Sequence, residues 1–590
     1  MPRNDNPLIV QSDRTLLLDV HAPRAEECRN ALIPFAELER SPEHLHTYRL
    51  TPLSLWNAES AGFSTEDAVA VLNEFSRYDV PDSVVAWVKE TGLRFGKLRM
   101  VPAPKNADGE EYVYLVCASA LVFKEVSANA VLKKNLIPCE YVSCEEDVVE
   151  VSEDEKQFCF MLRLVDRGTV KQNLLSAMWP VKDDVPLKDG EPLSFSLRNK
   201  TLSGADFKVR DYQKNAACAL VGNKGAGTGF GTIVLPCGAG KTIVGMEIMF
   251  LLQTSTLIVT TNISAVHQWI DELLDKTTLT REQIAEYTGE SKTLCPVTVA
   301  TYQILTWRPD KEGPYPHFAL FRERAWGLVI YDEVHMLPAP VFRVVSELQT
   351  VRRVGLTATL VREDGCEGHV FSLVGPKRFD VPWKELEHSG WIASAECVEV
   401  RLDLPPQKEV EYAVAGVREK HRIASENPLK KDVASLLVNQ FKKDKILIIG
   451  QYINQLNEIA EMLGVPIITG KTPTPVRDEL YKKFRENELR VLVVSKVANF
   501  AIDLPDASMA IQVSGTFGSR QEEAQRLGRI LRPKERTSRF FTLITRGTVE
   551  EDFGANRQKF LAEQGYSYRI IRYQDESSIR EVYNGIEQQN

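Results

Sequence analysis

From about residue 205 the chain repeats one pattern: short runs of β-branched and aliphatic residues that end in small or polar ones, each followed by a longer helix-like stretch. The runs are TIVLP, TLIVTT, VTVAT, GLVIYD and VGLTAT. A second series starts after about residue 440 with KILIIGQ, VPIITG, LRVLVVS, MAIQVS and FFTLIT. Buried-strand runs alternating with helical segments predict parallel sheets flanked by helices, and two series predict two doubly wound lobes, 205–395 and 396–590. Between them Arg418–Lys431 is charged and helix-compatible, and about 407–431 reads as a short insertion. The N-terminal third has a different texture. PLIV and TLLLDV read as strands, Thr65–Tyr78 as an amphipathic helix, Tyr112–Cys117 as a strand and Val170–Met178 as a helix. Pro102–Gly109 reads as a linker or exposed turn and Pro180–Pro192 as a connector. The expected fold class is therefore α/β: two doubly wound parallel-sheet lobes preceded by smaller mixed α/β domains, 1–102 and 103–204.

Composition narrows the class without choosing a function. The 590 residues agree with about three or four domains, and 43% hydrophobic with 26% charged residues is ordinary for a soluble globular chain. No apolar run reaches the roughly 18 residues of a membrane span, and MPRNDNPLIVQSD is too polar for a secretory signal. Ten cysteines without a CxxC pair predict reduced thiols and no metal cluster. The net charge of −9 argues against bulk affinity for nucleic acid. Charge is unevenly placed, however: Cys139–Lys156 carries eight acids and one lysine, whereas Ser519–Arg539 carries seven Lys or Arg and three Glu. An acidic protein with a local basic track can still bind a polyanion.

Candidate chemistry starts at Pro236-Cys237-Gly238-Ala239-Gly240-Lys241-Thr242. A phosphate-binding P-loop has the form G-x-x-x-x-G-K-[ST], and Leu235 stands where its first glycine belongs. The turn still falls between a strand run and the helix-like run Ile243–Leu252, so Lys241 and Thr242 would sit at a helix N-terminus, where free N–H groups favour phosphate. Lys241 would reach the β- and γ-phosphates and the Thr242 hydroxyl would ligate Mg2+. About ninety residues on, the apolar run GLVIY breaks into Asp332-Glu333-Val334-His335. Acids at the carboxyl end of a parallel strand lie where such sheets bind ligands. Asp332 would hold the Mg2+ and Glu333 would orient and deprotonate the attacking water. A solvated turn is the bland reading, and the upstream P-loop argues against it. In the second lobe QRLGRILR sets Arg529 and Arg532 three apart on one helix face. They suit an arginine finger pair for the γ-phosphate, a solvated basic face being the alternative.

The order Arg210-Asp211-Tyr212-Gln213, PCGAGKT, DEVH (a DEAH-like box), Thr357-Ala358-Thr359 and QRLGRILR resembles a superfamily-two helicase. The likeness narrows to the XPB family. Arg362-Glu363-Asp364 within GLTATLVRED stands at that family's RED motif, VSKVANFAIDLPDA (Val494–Ala507) is similar to its motif V, and RQKFLAEQGYSYRI and HTYRLTPLSLWNA are similar to its terminal stretches. The resemblance implies RecA-like lobes, an XPB-type N-terminal domain over 1–102, a damage-recognition-like domain over 103–204 and a thumb at the short insertion. It further implies ATP and Mg2+ as ligands, with Gln213, alongside Arg210, reading adenine and Asp503 near the ribose or a finger. DNA is the implied partner, with 3′→5′ polarity and a role in nucleotide-excision repair or promoter opening; a repair nuclease is the implied protein partner. Features such as SGTFGSRQEEAQRLGR resemble the bacterial or archaeal branch, which implies the cytoplasm, the nucleus being the place of the eukaryotic form.

Strand-end polar residues Thr261, Thr301 and Gln303 are the candidates for phosphate contacts along a DNA groove, and the Arg362–Asp364 triplet for strand separation. Trp269 and Tyr302 are candidates for base stacking, with core packing the favoured reading of Trp269. Two other functions stay open: a double-strand translocase that strains DNA without unwinding it, and an ATP-gated scaffold subunit. The set Lys241, Asp332, Glu333, Arg529 and Arg532 argues against the scaffold, which would have no chemical use for all five. The motor motifs do not separate DNA from RNA.

Overall fold

A computed structural model describes residues 5–578 except 33, 41–44, 61, 105–110, 144–150, 188, 223–227, 237, 311–315, 322, 338–350, 359–369, 372, 382, 496–506, 516–526, 528–536, 564–565 and 567. The chain divides into two compact units, one holding residues 1–39, 44–235 and 240–380, the other chiefly 381–590.

The first unit begins with a four-stranded sheet of Leu8–Val10 (β1), Thr15–Asp19 (β2), Glu37–Arg40 (β3) and Leu45–Arg49 (β4) in the order β1-β2-β4-β3. Helices Thr65–Phe75 and Asp82–Gly92 close it, with Leu72, Phe75, Val84 and Val88 packed in one core with Leu8, Leu16 and Leu18. The first of these helices starts at a capping box in which the Ser64 hydroxyl and Asp67 carboxylate each bind the other's backbone N–H.

A five-stranded sheet follows: Leu98–Pro102 (β5), Tyr112–Cys117 (β6), Ile137–Cys139 (β7), Cys159–Arg163 (β8) and Val181–Asp183 (β9), ordered β7-β8-β6-β5-β9. Two loop expectations are corrected here. Pro102 is not in a linker but pairs with Val113 as the last residue of β5, and the connector from Pro180 contains β9. β9 is only three residues long and owes its place to Asp183, a feature no hydrophobic pattern carries. The Asp183 carboxylate accepts from Arg167 Nε at 3.0 Å and Lys171 Nζ at 2.9 Å, with all three side chains buried. Arg353 and Lys171 then approach the ring centroid of Phe230 to 4.8 and 5.8 Å, which ties this sheet to the one that follows.

That next sheet contains Phe230–Val234 (β10), Thr256–Thr260 (β11), Ile284–Tyr287 (β12), Val297–Thr301 (β13), Leu328–Asp332 (β14), Arg352–Thr357 (β15) and Lys377–Asp380 (β16), all parallel, ordered β12-β13-β11-β14-β15-β10-β16. The second unit holds another parallel sheet: Ala395–Leu402 (β17), Ile446–Gly450 (β18), Ile467–Ile468 (β19), Val491–Ser495 (β20), Met509–Gln512 (β21), Ser538–Thr545 (β22) and Tyr568–Arg572 (β23), ordered β19-β20-β18-β21-β22-β17-β23. Counting each lobe from its own first strand, both orders read 3-4-2-5-6-1-7. The chain thus carries the same doubly wound topology twice, as two RecA-like lobes.

The apolar runs named from the sequence are interior strands, buried as parallel sheets require, except VPIITG, whose Ile467–Ile468 is the edge strand β19. Strands β12, β16 and β23 escaped that reading because they lie at sheet edges, where IAEY, KRFD and YRIIR mix polar with apolar residues. The 407–431 segment is largely a helix pair, Pro406–Val414 and Val417–Ser425, followed by Leu429–Gln440, which sends Val433, Ala434 and Leu437 into the core of the second lobe.

The Asp183 cluster supplies a stability test. Burial opposes ionisation of this carboxyl, yet Arg167 and Lys171 hold it well below the usual carboxylate range. Its contribution is therefore present above the unfolded pKa of about 3.9 and is lost as pH falls towards the folded value. Asp183→Ala leaves two buried cations without their acid and should cost about 3–5 kcal/mol in urea unfolding at neutral pH. Glu74→Ala, which removes a largely solvated pair with Arg24, should cost far less in the same measurement.

Candidate active site

Strands β10 and β14 are both neighbours of β15, so three carboxyl ends stand side by side: Val234 is in register with Thr357, and Asp332 with Leu356. The residue after β10 settles what Leu235 does. Its N–H donates to the Thr357 carbonyl at 2.9 Å and its side chain is fully buried, so the position of the missing glycine still belongs to the strand and the core. The turn itself keeps the glycines it needs. Gly238 and Gly240 have φ of 82° and 79°, left-handed values that suit glycine. Gly240 is the N-cap of helix Lys241–Leu252, and a Cβ there would come within 2.6 Å of Gln213 Nε2. Gln213 is buried against this turn, and its Oε1 accepts the Arg210 backbone N–H at 2.9 Å.

The two acids are held differently. Both Asp332 oxygens are engaged: Oδ2 accepts from the Trp269 indole at 2.9 Å and the Thr260 hydroxyl at 3.3 Å, and Oδ1 accepts the Glu333 N–H at 3.0 Å. Tyr302 donates its hydroxyl to the Asp332 carbonyl at 2.9 Å. Glu333 lies past the strand end with φ of 49°, a left-handed value costly for a residue with a side chain. Its Oε1 is 3.1 Å from Lys241 Nζ, its Oε2 is 3.5 Å from His335 Nδ1, and that same nitrogen is 2.7 Å from the Thr357 hydroxyl. Burial and the Glu333 charge push the Asp332 carboxyl up to about 6. Burial works against Glu333 too, but Lys241, His335 and the Ala358 N–H hold it below its ordinary value.

This donor set fits a hard divalent cation. Two adjacent half-buried carboxyls face one lysine, one of them is raised by burial and by its neighbour's charge, and the oxygen ligands on offer, the Asp332 carboxylate and the Thr242 hydroxyl, are those magnesium prefers.

The structure thus brings Arg210, Gln213, Gly240, Lys241, Asp332, Glu333 and Thr357 to one edge of one sheet. Pro236 and Ala239 are buried, whereas Gly238 is exposed. Thr261 is half-buried and its hydroxyl accepts from Asn262 Nδ2 at 2.8 Å. The buried Thr301 hydroxyl caps helix Tyr302–Thr306 by accepting the Ile304 N–H, and Gln303 beside it is exposed. Cys237, Thr359, Arg362, Glu363, Asp364, Asp503, Arg529 and Arg532 lie outside the described residues. Sequence reasoning missed three contributors, Thr260, Trp269 and His335, as partners of the acids. His335 was visible as the last letter of DEVH, whereas nothing local ties Trp269 to a carboxylate 63 positions away.

The comparisons with known proteins agree with this geometry. The family described as ERCC3/RAD25/XPB C-terminal helicase matches residues 386–589. Residues 206–362 match the res subunit of type III restriction enzymes, and residues 8–138 a conserved helicase C-terminal domain. The chain is 49% identical over 573 residues, 97% of each chain, to a Kineococcus radiotolerans protein named DNA 3'-5' helicase XPB. The chain belongs to the XPB family. A second XPB relative, from Mycobacterium tuberculosis, bears the same name and is 48% identical over 97% of this chain and 98% of its own. The XPB subunit of general transcription and DNA repair factor IIH from Antonospora locustae is 32% identical over 96% of this chain and 81% of its own. Among the described residues no helix is long and apolar enough to cross a membrane.

Because Leu235 serves the strand, Leu235→Gly, which restores the full P-loop pattern, should lower stability by about 2–5 kcal/mol and leave the affinity for a fluorescent ADP within about twofold. Thermal unfolding and an ADP titration check both halves.

Proposed function

We propose that this XPB-family protein is an ATP-driven motor that moves 3′→5′ on DNA and separates its strands in repair or in transcription-linked opening. The observation that carries the reading is the meeting of Lys241, Asp332 and Glu333 at adjacent strand ends, with His335 linking them to Thr357. A binding or scaffold protein has no need of a half-buried base already paired with the lysine of a phosphate turn.

The chemistry follows from an exchange of partners. Lys241 now neutralises Glu333. The β- and γ-phosphates of ATP compete for Lys241 at the helix N-terminus, and the Glu333 carboxylate is released to accept a proton from the attacking water. Thr242 and Asp332 would hold a magnesium ion, which when bound supplies positive charge to the phosphate oxygens. Gln213 reads the adenine through its amide, and the family resemblance gives Asp503 a role at the ribose or a finger. Arg529 and Arg532 are the candidate arginine fingers for the γ-phosphate, and ATP binding and hydrolysis drive the cycle of the motor. His335 joins Glu333 to Thr357, and this short link is the route by which phosphate state reaches the strand end that leads into Arg362-Glu363-Asp364. Thr261 and Gln303 suit phosphate contacts on the bound strand. A repair nuclease is the protein partner that fits a strand-opening role, and the cytoplasm the compartment that fits the bacterial-type relatives.

Two measurements test the motor. Glu333→Gln keeps shape but cannot accept a proton, so ATP turnover should fall about 10²–10⁴-fold while ATP binding persists; Lys241→Ala should lose both. Loss of ATP affinity in Glu333→Gln as severe as in Lys241→Ala would overturn the assignment of the base. DNA should stimulate turnover where RNA does not.

The Arg362–Asp364 triplet serves strand separation. Replacing all three with alanine should leave most single-strand-stimulated ATPase and strongly reduce unwinding of a forked duplex. Intact unwinding at matched ATPase rate would remove that role, and loss of both activities would move the triplet into the ATP site.

A further inference from the structure

The indole N–H of Trp269 donates to Asp332, and the residue is buried, with only 2% of its surface exposed. That burial leaves no ring face on which a base could stack. Trp269 sits on the apolar face of helix Ile263–Lys276 with Val266, Ile270 and Leu273, the spacing of a core-facing stripe. Packing alone would account for its ring. It does not account for the nitrogen, which points at Asp332 Oδ2 from 2.9 Å.

Helix Lys241–Leu252 makes room for this arrangement. Gly245 lies inside it, where glycine costs about 1 kcal/mol relative to alanine. A Cβ at Gly245 would stand 2.6 Å from Trp269 Cη2 and 3.2 Å from Cζ3. The phosphate-turn helix therefore gives up a side chain so that the indole can lie against its backbone with its N–H reaching the strand end.

Counting acceptors shows what the contact does. An ionised carboxylate has about four lone-pair directions, two on each oxygen. Trp269 and Thr260 take two at Oδ2, and the Glu333 N–H takes one at Oδ1. One direction is left, on Oδ1.

We infer that Trp269 is a positioning residue for metal binding: its indole N–H, with the Thr260 hydroxyl, ties up Oδ2 so that Asp332 presents Oδ1 alone to the divalent cation that accompanies the nucleotide. This rests on the reading of Asp332 as the metal-holding acid. Donors that orient a ligating carboxylate typically change metal affinity by 10–100-fold when removed.

The test measures metal binding rather than turnover. In the full-length protein, affinity for a fluorescent ADP is followed against Mg2+ concentration and again in EDTA, and Mn2+ bound to the ADP complex is followed by electron paramagnetic resonance. Trp269→Phe removes the N–H, and replacement of Trp269 by 3-benzothienylalanine removes it while keeping the bicyclic shape against Gly245, which guards against a packing defect. Both should weaken the Mg2+ and Mn2+ dependence about 10–100-fold, with ADP affinity in EDTA unchanged. Thr260→Val should shift it in the same direction by less. Gly245→Ala, which pushes on the ring and keeps the N–H, should also weaken metal binding. A metal dependence in the benzothienyl protein that superimposes on wild type overturns the proposal. Equal loss of ADP affinity with and without metal also overturns it, by reducing Trp269 to packing. The underlying reading fails separately: if Asp332→Asn keeps the wild-type Mg2+ dependence, Asp332 is not the metal-holding acid.

Discussion

Asp332 and Glu333 are half-buried neighbours, and two carboxylates partly withdrawn from water repel each other and lose hydration together. Much of the described site answers that cost. Lys241 crosses from the phosphate turn to Glu333, His335 approaches its other oxygen, and three donors converge on Asp332. Burial and the Glu333 charge still leave the Asp332 carboxyl raised, and on the proposed function a nucleotide with its cation would complete the compensation. On that reading the site is finished by its substrate, with charges already held in position rather than gathered.

The topology makes this arrangement possible. Strands β10, β15 and β14 are adjacent although β10 and β15 are separated by more than a hundred residues of chain. Parallel pairing aligns their carboxyl ends, and the phosphate turn, the acids and Thr357 emerge on one edge. The second lobe repeats the same strand order. The N-terminal sheets join the first lobe through a different device. Arg167, Lys171 and Arg353 gather around Asp183 and the face of Phe230, a buried charge cluster with more cations than acids. Arg353 is on β15, four residues before Thr357, so the strand that borders the nucleotide edge is anchored at its other end by the N-terminal domains.

The lobes were legible because buried parallel strands leave apolar runs that need no partner to be recognised. The edge strands β12, β16 and β23 and the three-residue β9 were not, since an edge admits polar residues and β9 depends on an ion pair. The phosphate turn and the DEVH acids were legible for a chemical reason: glycine, lysine and paired carboxylates at strand ends have few structural uses. Leu235 looked like a defect in the P-loop pattern although it closes the apolar run TIVL, and the Leu235–Thr357 hydrogen bond shows the strand pairing carried on to this position.

The sequence by itself determined which residue types carry the chemistry, in what order along the chain, and that two parallel sheets would hold them, because local apolar pattern and motif spacing are properties of neighbours in the chain. Only the tertiary structure decided which donors meet each acid. Trp269 reaches Asp332 across 63 residues, Gly245 is glycine because that ring lies against it, and Gln213 backs the turn at Gly240. Such contacts depend on how strands are ordered and how far helices stand from the sheet, distances that arise only when the whole lobe is packed.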